Sequence, residues 1–246
     1  MRSLICFTIV LIVLPAVAQE QSASESDLAS NVAKSIVSRT NDFRKEHDLP
    51  AVNTNEHLQK AAEEFAKFMA RSAKYGHHAD GRTPAQRTTA AGYEYCVVRE
   101  NIAYRTGPQP TEKKLTDVFV EGWIDSPGHR ENMLAEYVTQ TGAAVATDDG
   151  QTWYAVQLFG RPKSAAFKIR LSNESSATHQ IVVETDDGSS DEFEMSPRMM
   201  MSMTRCTPVT VSIKGSDVSV PVKESQRLAI SDKPDGGVTL EHAAAR

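Results

Sequence analysis

No run of basic residues occurs anywhere in this chain of 246 residues, and its 27 Lys and Arg are outnumbered by 32 Asp and Glu, for a formal charge of −5. Affinity for nucleic acid comes largely from neutralising phosphates, so this balance makes nucleic acid a poor partner. Apolar runs are scarce as well. Beyond the N-terminal segment none approaches the roughly 18 residues that a helix needs to cross a bilayer. There is no internal repeat and no recognisable nucleophile motif. Cysteine is rare, with only Cys6, Cys96 and Cys206.

What is present begins with the N-terminal segment. "MRSLICFTIVLIVLPAVAQE" has a basic start at Arg2, an apolar run from Leu4 to Leu14, and Pro15-Ala16-Val17-Ala18 before Gln19. This small-x-small ending predicts a secretory signal peptide over residues 1–18, with a single N-terminal anchor as the alternative. Cleavage would remove Cys6 and Arg2 and place the remainder outside the cytoplasm, as a secreted or periplasmic protein. In an oxidising compartment Cys96 and Cys206 then form either one disulfide or two buried free thiols, and nothing in the sequence fixes the distance between them.

A polar stretch, "QEQSASES" over residues 19–26, reads as a flexible leader. Apolar residues at Leu28, Val32, Ile36 and Phe43 then predict a helix that ends at Asp48-Leu49-Pro50. A second helix is expected from about Asn55 to Lys74, with Leu58, Ala61, Ala62, Phe65, Phe68 and Met69 as its stripe and Gly76 as its stop. A third opens at Thr83-Pro84 and closes at Gly92. A fourth starts near Thr111-Glu112, with Leu115, Val118, Phe119 and Trp123 on one face. Past Met133 the period changes, and "TGAAVATDDGQTWYAVQLFG" reads as two strands joined at Asp148-Asp149-Gly150. Helices followed by strands predict an α+β layered sandwich over residues 27–162.

From about Lys163 the chain becomes a series of short β-type runs separated by polar turns, so residues 163–246 read as a small all-β, sandwich-like accessory domain. Its acidic cluster, which includes Glu184, Asp186, Asp187, Asp191, Glu192 and Glu194, lacks calcium-loop spacing and reads as a solvated hairpin. "RMMMSM" reads as gap-filling core. Asn173-Glu174-Ser175 matches a glycosylation acceptor, a pattern short enough to occur by chance.

Most of the seven histidines have structural explanations. His47 closes a helix, His57 sits near a helix start, and His179 and His242 lack a partner pattern. His77, His78 and His129, with Glu100, stand instead at loops and element ends, where a rigid scaffold holds functional side chains. Two imidazoles and a carboxylate suit an open Zn²⁺ site, acid–base work, or simply a structural arrangement.

Four ordered motifs, "YGHHADGRTPAQRTTAAGY", "RENIAY", "GWIDSPGHRENML" and "YAVQLFGRP", make the chain resemble the CAP superfamily of cysteine-rich secretory proteins, antigen 5 and pathogenesis-related proteins, in its bacterial SCP-like form. The resemblance spans roughly residues 36–162. It implies a three-layer α-β-α sandwich with a cleft lined by two His and two acidic residues, in which some members bind Zn²⁺ or another divalent ion. Carried over by motif, the metal-site residues are His77 (with His78 as its possible substitute), Glu100 and His129. The position of the second carboxylate is held by Ser126, with Asp125 and Glu121 nearby. Three functions follow as expectations. The first is a non-catalytic binding module holding a divalent metal and a small lipid, sterol or cell-envelope glycan ligand. The second is a hydrolase using Ser126, His129 and Glu100. The third is a structural envelope protein with a vestigial cleft.

Overall fold

The computed structural model describes residues 15–108, 110–185 and 188–243. The first described element is a helix, α1 (Pro15–Glu46). Residues 1–14 of the expected signal peptide lie outside the described residues. The leader expected at residues 19–26 is part of α1, since Gln, Ala and Glu favour helix and no Gly or Pro interrupts them. No helix among the described residues is long and apolar enough to cross a membrane.

A two-residue strand, β1 (Asn53–Thr54), precedes α2 (Glu56–Ser72). Asn55 caps α2, its side-chain oxygen accepting from the backbone N–H groups of His57 and Leu58. The helix stops before the expected Gly76, because Ala73 turns left-handed at φ 53°. α3 (Pro84–Ala90) begins with a capping box between Thr83 and Gln86. Next comes a strand absent from the sequence reading, β2 (Tyr95–Thr106). α4 (Glu112–Asp125) and α5 (Pro127–Leu134) follow, and then the expected hairpin of β3 (Gln140–Ala146) and β4 (Thr152–Pro162).

These strands form one sheet in the order β1-β3-β4-β2, so β2 is an edge strand. Helices cover both faces. On one side α1, α4 and α5 bury Val32, Ile36, Leu115, Phe119, Trp123 and Met133 against Val145, Ala155 and Phe159. On the other, α2 buries Leu58, Phe65 and Met69 against Ile102, Val156 and Leu158. Val118 is a correction to the predicted α4 stripe, for it is 42% exposed while Leu115, Thr116, Phe119, Val120 and Trp123 turn inward. The result is the three-layer α-β-α arrangement.

After a single 3₁₀ turn, Lys163–Ala165, the chain builds two four-stranded sheets. One, ordered β12-β11-β5-β8, contains β5 (Phe167–Asn173), β8 (Met200–Arg205), β11 (Gln226–Asp232) and β12 (Val238–His242). The other, ordered β10-β9-β6-β7, contains β6 (His179–Thr185), β7 (Ser190–Met195), β9 (Val209–Ile213) and β10 (Ser219–Val222). Ile169, Leu171, Leu228 and Ile230 from the first meet Ile181, Val183, Val211 and Ile213 from the second in one core. β5 shows why this half was readable: its residues alternate buried and exposed, the period-2 signature of a strand with one solvated face.

Asn173 is fully buried, its amide donating to the carbonyls of Ala177 and Met195, so the acceptor sequence is inaccessible in the folded protein. Asp186 and Asp187 lie outside the described residues. The rest of the acidic hairpin is solvated and cross-linked by ion pairs of Asp191 with Arg205 and Glu192 with Lys214. Met201 and Met203 do pack on the sandwich core, while Met200 is 82% exposed.

Candidate functional site

The site is built on the outer edge of β2. Along this strand Glu100, Ile102 and Tyr104 share one face, the period of a strand being two. The Glu100 side chain is nearly inaccessible, at 1% exposure. A buried carboxylate requires compensation, and Arg87 on α3 supplies it. Arg87 Nη2 donates to Glu100 Oε2 at 2.7 Å and to Oε1 at 2.9 Å, while Nη1 donates to Asp80 Oδ1 at 2.8 Å and to the Arg82 carbonyl at 2.8 Å. The guanidinium lies 3.6 Å above the centroid of the Phe65 ring. Arg87 therefore ties α2, α3 and β2 together from inside.

Asp80 is the other carboxylate in this cluster. Burial acts to raise its pKa, but the Arg82 backbone N–H and the Arg87 and Arg82 charges outweigh it, and the net shift is downward.

His77 lies in the loop between α2 and α3, and its Nδ1 is 2.8 Å from Glu100 Oε1. Its carbonyl accepts from Arg87 Nη2 at 2.9 Å, so backbone and ring are both fixed. The neighbouring His78 is exposed. His129 enters from the first turn of α5. Burial first, and then the proximity of His77, lower its pKa below the ordinary imidazole value, so the ring is neutral at pH 7. Its Nδ1 lies 2.9 Å from Ser126 Oγ. Ser126 stands at the N-cap position of α5 but makes no side-chain capping bond, because its hydroxyl faces the imidazole instead.

Two asparagines lock α5 onto β2. Asn132 Nδ2 donates to Asn101 Oδ1 at 2.8 Å and to the Glu100 carbonyl at 3.2 Å, and Asn101 Nδ2 donates to the His129 carbonyl at 3.1 Å. Neither Asn101 and Asn132 nor Arg87 figured in the sequence reading as working parts of the site. One signal was visible: Arg-Glu-Asn occurs twice, at residues 99–101 and 130–132, and the two triplets face each other.

The hydrolase arrangement is only partly brought together. Ser126 and His129 meet, but Glu100 orients His77 and not His129, so the acid expected behind the Ser–His pair is committed elsewhere. Glu121 accepts from Arg39 on α1 at 3.3 Å. Glu100 is engaged within the protein, its Oε1 facing His77 Nδ1 and both oxygens accepting from Arg87. Among the described residues no group of three or more His, Cys, Asp or Glu is gathered around one point. The donor chemistry does fit an ion held by imidazole alone. The Nδ1 of each ring is engaged, by Glu100 and by Ser126, and among the described residues neither Nε2 has a hydrogen-bond partner. A separate groove of about 920 Å³ lies between α1, α2 and β3, lined by small residues such as Ala29, Ala33 and Ala144, and neither imidazole reaches it.

Fold and site define the class. Residues 37–159, half of the chain, match the cysteine-rich secretory protein family, CAP, and the chain belongs to that family. It is 27% identical over 142 residues to an uncharacterized protein, YkwD, of Bacillus subtilis (strain 168), in an alignment covering 56% of this chain and 52% of YkwD. The chain thus spans about half the length of that relative. Among solved structures it is similar to an outer surface protein of Borrelia burgdorferi, at 26% identity and a TM-score of 0.47, over 54% of this chain and 93% of that one. It is also similar to an extracellular protein containing an SCP domain from Bacillus anthracis str. Ames, at 24% identity and a TM-score of 0.48, over 56% and 43% of the two chains. The Cys96–Cys206 disulfide is formed, with the two Cα atoms 5.2 Å apart.

Proposed function

We propose that this chain is an exported binding module whose β2-edge cleft holds a divalent ion, Zn²⁺ by donor type, through Nε2 of His77 and Nε2 of His129, with a small envelope or extracellular ligand bound beside it. One observation carries this reading: each imidazole is anchored through Nδ1 and presents an uncommitted Nε2. Glu100 then acts as the orienting carboxylate behind a ligating imidazole. Arg87 holds that carboxylate in place through hydrogen bonds to both of its oxygens. The neutral state of His129 at pH 7 supports the same role, since only unprotonated imidazole ligates. A bound ion would supply Lewis acidity to a ligand oxygen, while the protein's own groups fix the two rings. Export is supported by the signal-like N-terminus and by the disulfide, which persists in oxidising compartments.

Titrating Zn²⁺ into the full chain by calorimetry tests the reading. Binding should vanish in His77→Ala and in His129→Ala, and weaken about 10–100-fold in Glu100→Gln. Absence of binding to the wild type, or binding indifferent to both histidines, overturns it. The 2.9 Å contact between Ser126 and His129 favours one second reading, a Ser–His hydrolase. Equal background rates for the wild type and Ser126→Ala on esterase and peptidase panels would end that idea.

A further inference from the structure

Of the edge strands of the C-terminal sandwich, β7, β10 and β12 are protected against pairing with another chain, and β8 is not. β7 carries Asp191, Glu192 and Glu194, β10 holds Pro221 within a very short strand, and β12 ends in Glu241 and His242. β8, with the sequence Met-Met-Ser-Met-Thr-Arg, contains no proline and no acid. Its one cation, Arg205, stands at the end of the strand and is paired with Asp191 at 2.6 Å.

The ladder decides which backbone groups of β8 are open. Asn173 N–H donates to the Met199 carbonyl and Arg198 N–H to the Asn173 carbonyl, so odd-numbered residues of β5 face β8. Glu174 N–H donates to the Ile230 carbonyl and Lys168 N–H to Ser225 Oγ, so even-numbered residues face the β11 side. β5 pairs Leu171 with Met201, Ile169 with Met203 and Phe167 with Arg205. The odd residues of β8 therefore complete this ladder. The N–H and C=O groups of Met200, Ser202 and Thr204 point the other way, past the last strand of the sheet. The core is incompletely closed on the same side, where Met201, Met203 and Phe193 pack against it but are only partly buried. Met200 is 82% exposed.

This edge is complementary to itself. An antiparallel two-fold through Ser202 sets Met200 against the partner's Thr204 and Ser202 against the partner's Ser202. Each such pair exchanges both of its backbone hydrogen bonds, and every side chain keeps its own face of the sheet. Met203 then lies beside the partner's Met201, which extends the apolar layer beneath the joined strands. No ionised side chain opposes a like one along the edge. The facing cations, Arg170 of each copy, stand three strand spacings apart, about 14 Å, beyond the screening length of about 8 Å in physiological salt. On the adjacent β7, Asp191 and Glu192 are already paired, with Arg205 and Lys214.

We infer that β8 is a homodimerisation edge, through which two copies of the chain join antiparallel over Met200–Arg205 and merge their four-stranded sheets into one. Each dimer then carries two CAP domains. The inference does not depend on ion binding by His77 and His129.

Sedimentation equilibrium of the full chain over about 5–500 μM tests it, because so short an interface lies at the weak end of specific contacts. The weight-average mass should rise from that of one chain toward that of two. Ser202→Pro removes an N–H that the β5 ladder does not use, so the variant should fold and remain a monomer. Ser202→Cys supplies a second readout. Across the two-fold its Cα atoms stand about 5.5 Å apart, within disulfide reach, so mild oxidation should yield covalent dimers. Arg170→Cys, on the same sheet face but about 14 Å from its counterpart, should not cross-link. Should circular dichroism show Ser202→Pro to be misfolded, the two cysteine variants still decide. A chain that stays monomeric across the range overturns the inference and leaves the edge to a strand of another protein. A dimer that survives Ser202→Pro, or that cross-links as readily through Arg170→Cys as through Ser202→Cys, overturns it as well.

Discussion

At the scale of single residues, Arg87 and not a histidine sets the terms of the site. Its guanidinium neutralises Glu100 and Asp80 inside the fold, and removing one partner of a buried pair leaves an uncompensated charge. Arg87→Met should therefore destabilise the protein by about 3–5 kcal/mol in urea unfolding, and Glu100→Gln in the same background should recover part of the loss. A loss under about 1 kcal/mol would mean that water reaches the cluster. Asp80 adds a pH dependence whose sign is fixed. Its folded pKa lies below the ordinary Asp value of about 3.9, so its contribution is present above that pH and is lost as pH falls through the folded value. The stability gap between wild type and Asp80→Asn should accordingly hold at about pH 5 and shrink on acidification below about pH 4. A gap that does not change would remove Asp80 from the pairing. His77, Glu100 and His129 were legible because they sit in recognisable motifs. Arg87 was not, since an Arg on a short helix normally faces water, and its partners become neighbours only when α3 folds onto β2.

At the scale of elements, the helices were predictable from their stripes and caps, whereas β2 was missed for a physical reason. In "YCVVRENIAYRT" Glu100, Asn101 and Ile102 are all buried, because helices cover both faces of the sheet. Period-2 alternation vanishes when neither face is solvated. The same sheet shows its constraints at Gly142 on β3, where an added Cβ would stand 2.2 Å from the Gln59 backbone nitrogen and 2.4 Å from the Leu58 carbonyl carbon. Backbone cannot yield as a side chain does, so Gly142→Ala should cost about 1–3 kcal/mol or more in urea unfolding. Ala73 is the opposite case. It closes α2 at φ 53°, where an L residue is strained by about 1–2 kcal/mol relative to glycine. Ala73→Gly should therefore raise stability by up to about 1 kcal/mol. A decrease would show that the entropy glycine adds to the unfolded chain outweighs the relieved strain.

At the scale of the whole molecule, the apolar clusters that flank the CAP sheet share no residue with the cluster inside the C-terminal sandwich. Covalently the two halves are joined by the chain through Lys163–Ala165 and by the Cys96–Cys206 bridge, which runs from the start of β2 to the residue just after β8. The bridge thus fastens the edge strand that carries Glu100 and Tyr104 to the sandwich. Without it, that strand is held by the ladder to β4 and by hydrogen bonds that include those of Arg87, Asn132, Trp123 and Tyr75. A bridge between residues 110 apart in sequence also restricts the unfolded chain strongly, and losing such a constraint costs about 2–5 kcal/mol. Separate cores joined by a staple should melt together while it is intact and separately once it is cut. Calorimetry of the Cys96→Ser/Cys206→Ser double variant, or of wild type under reductant, should therefore show a lower first transition and a second one split from it. The Zn²⁺ affinity of the variant should fall if the staple helps hold β2 in register. An unsplit transition at the wild-type temperature would show that contacts between the two halves, and not the disulfide, couple them.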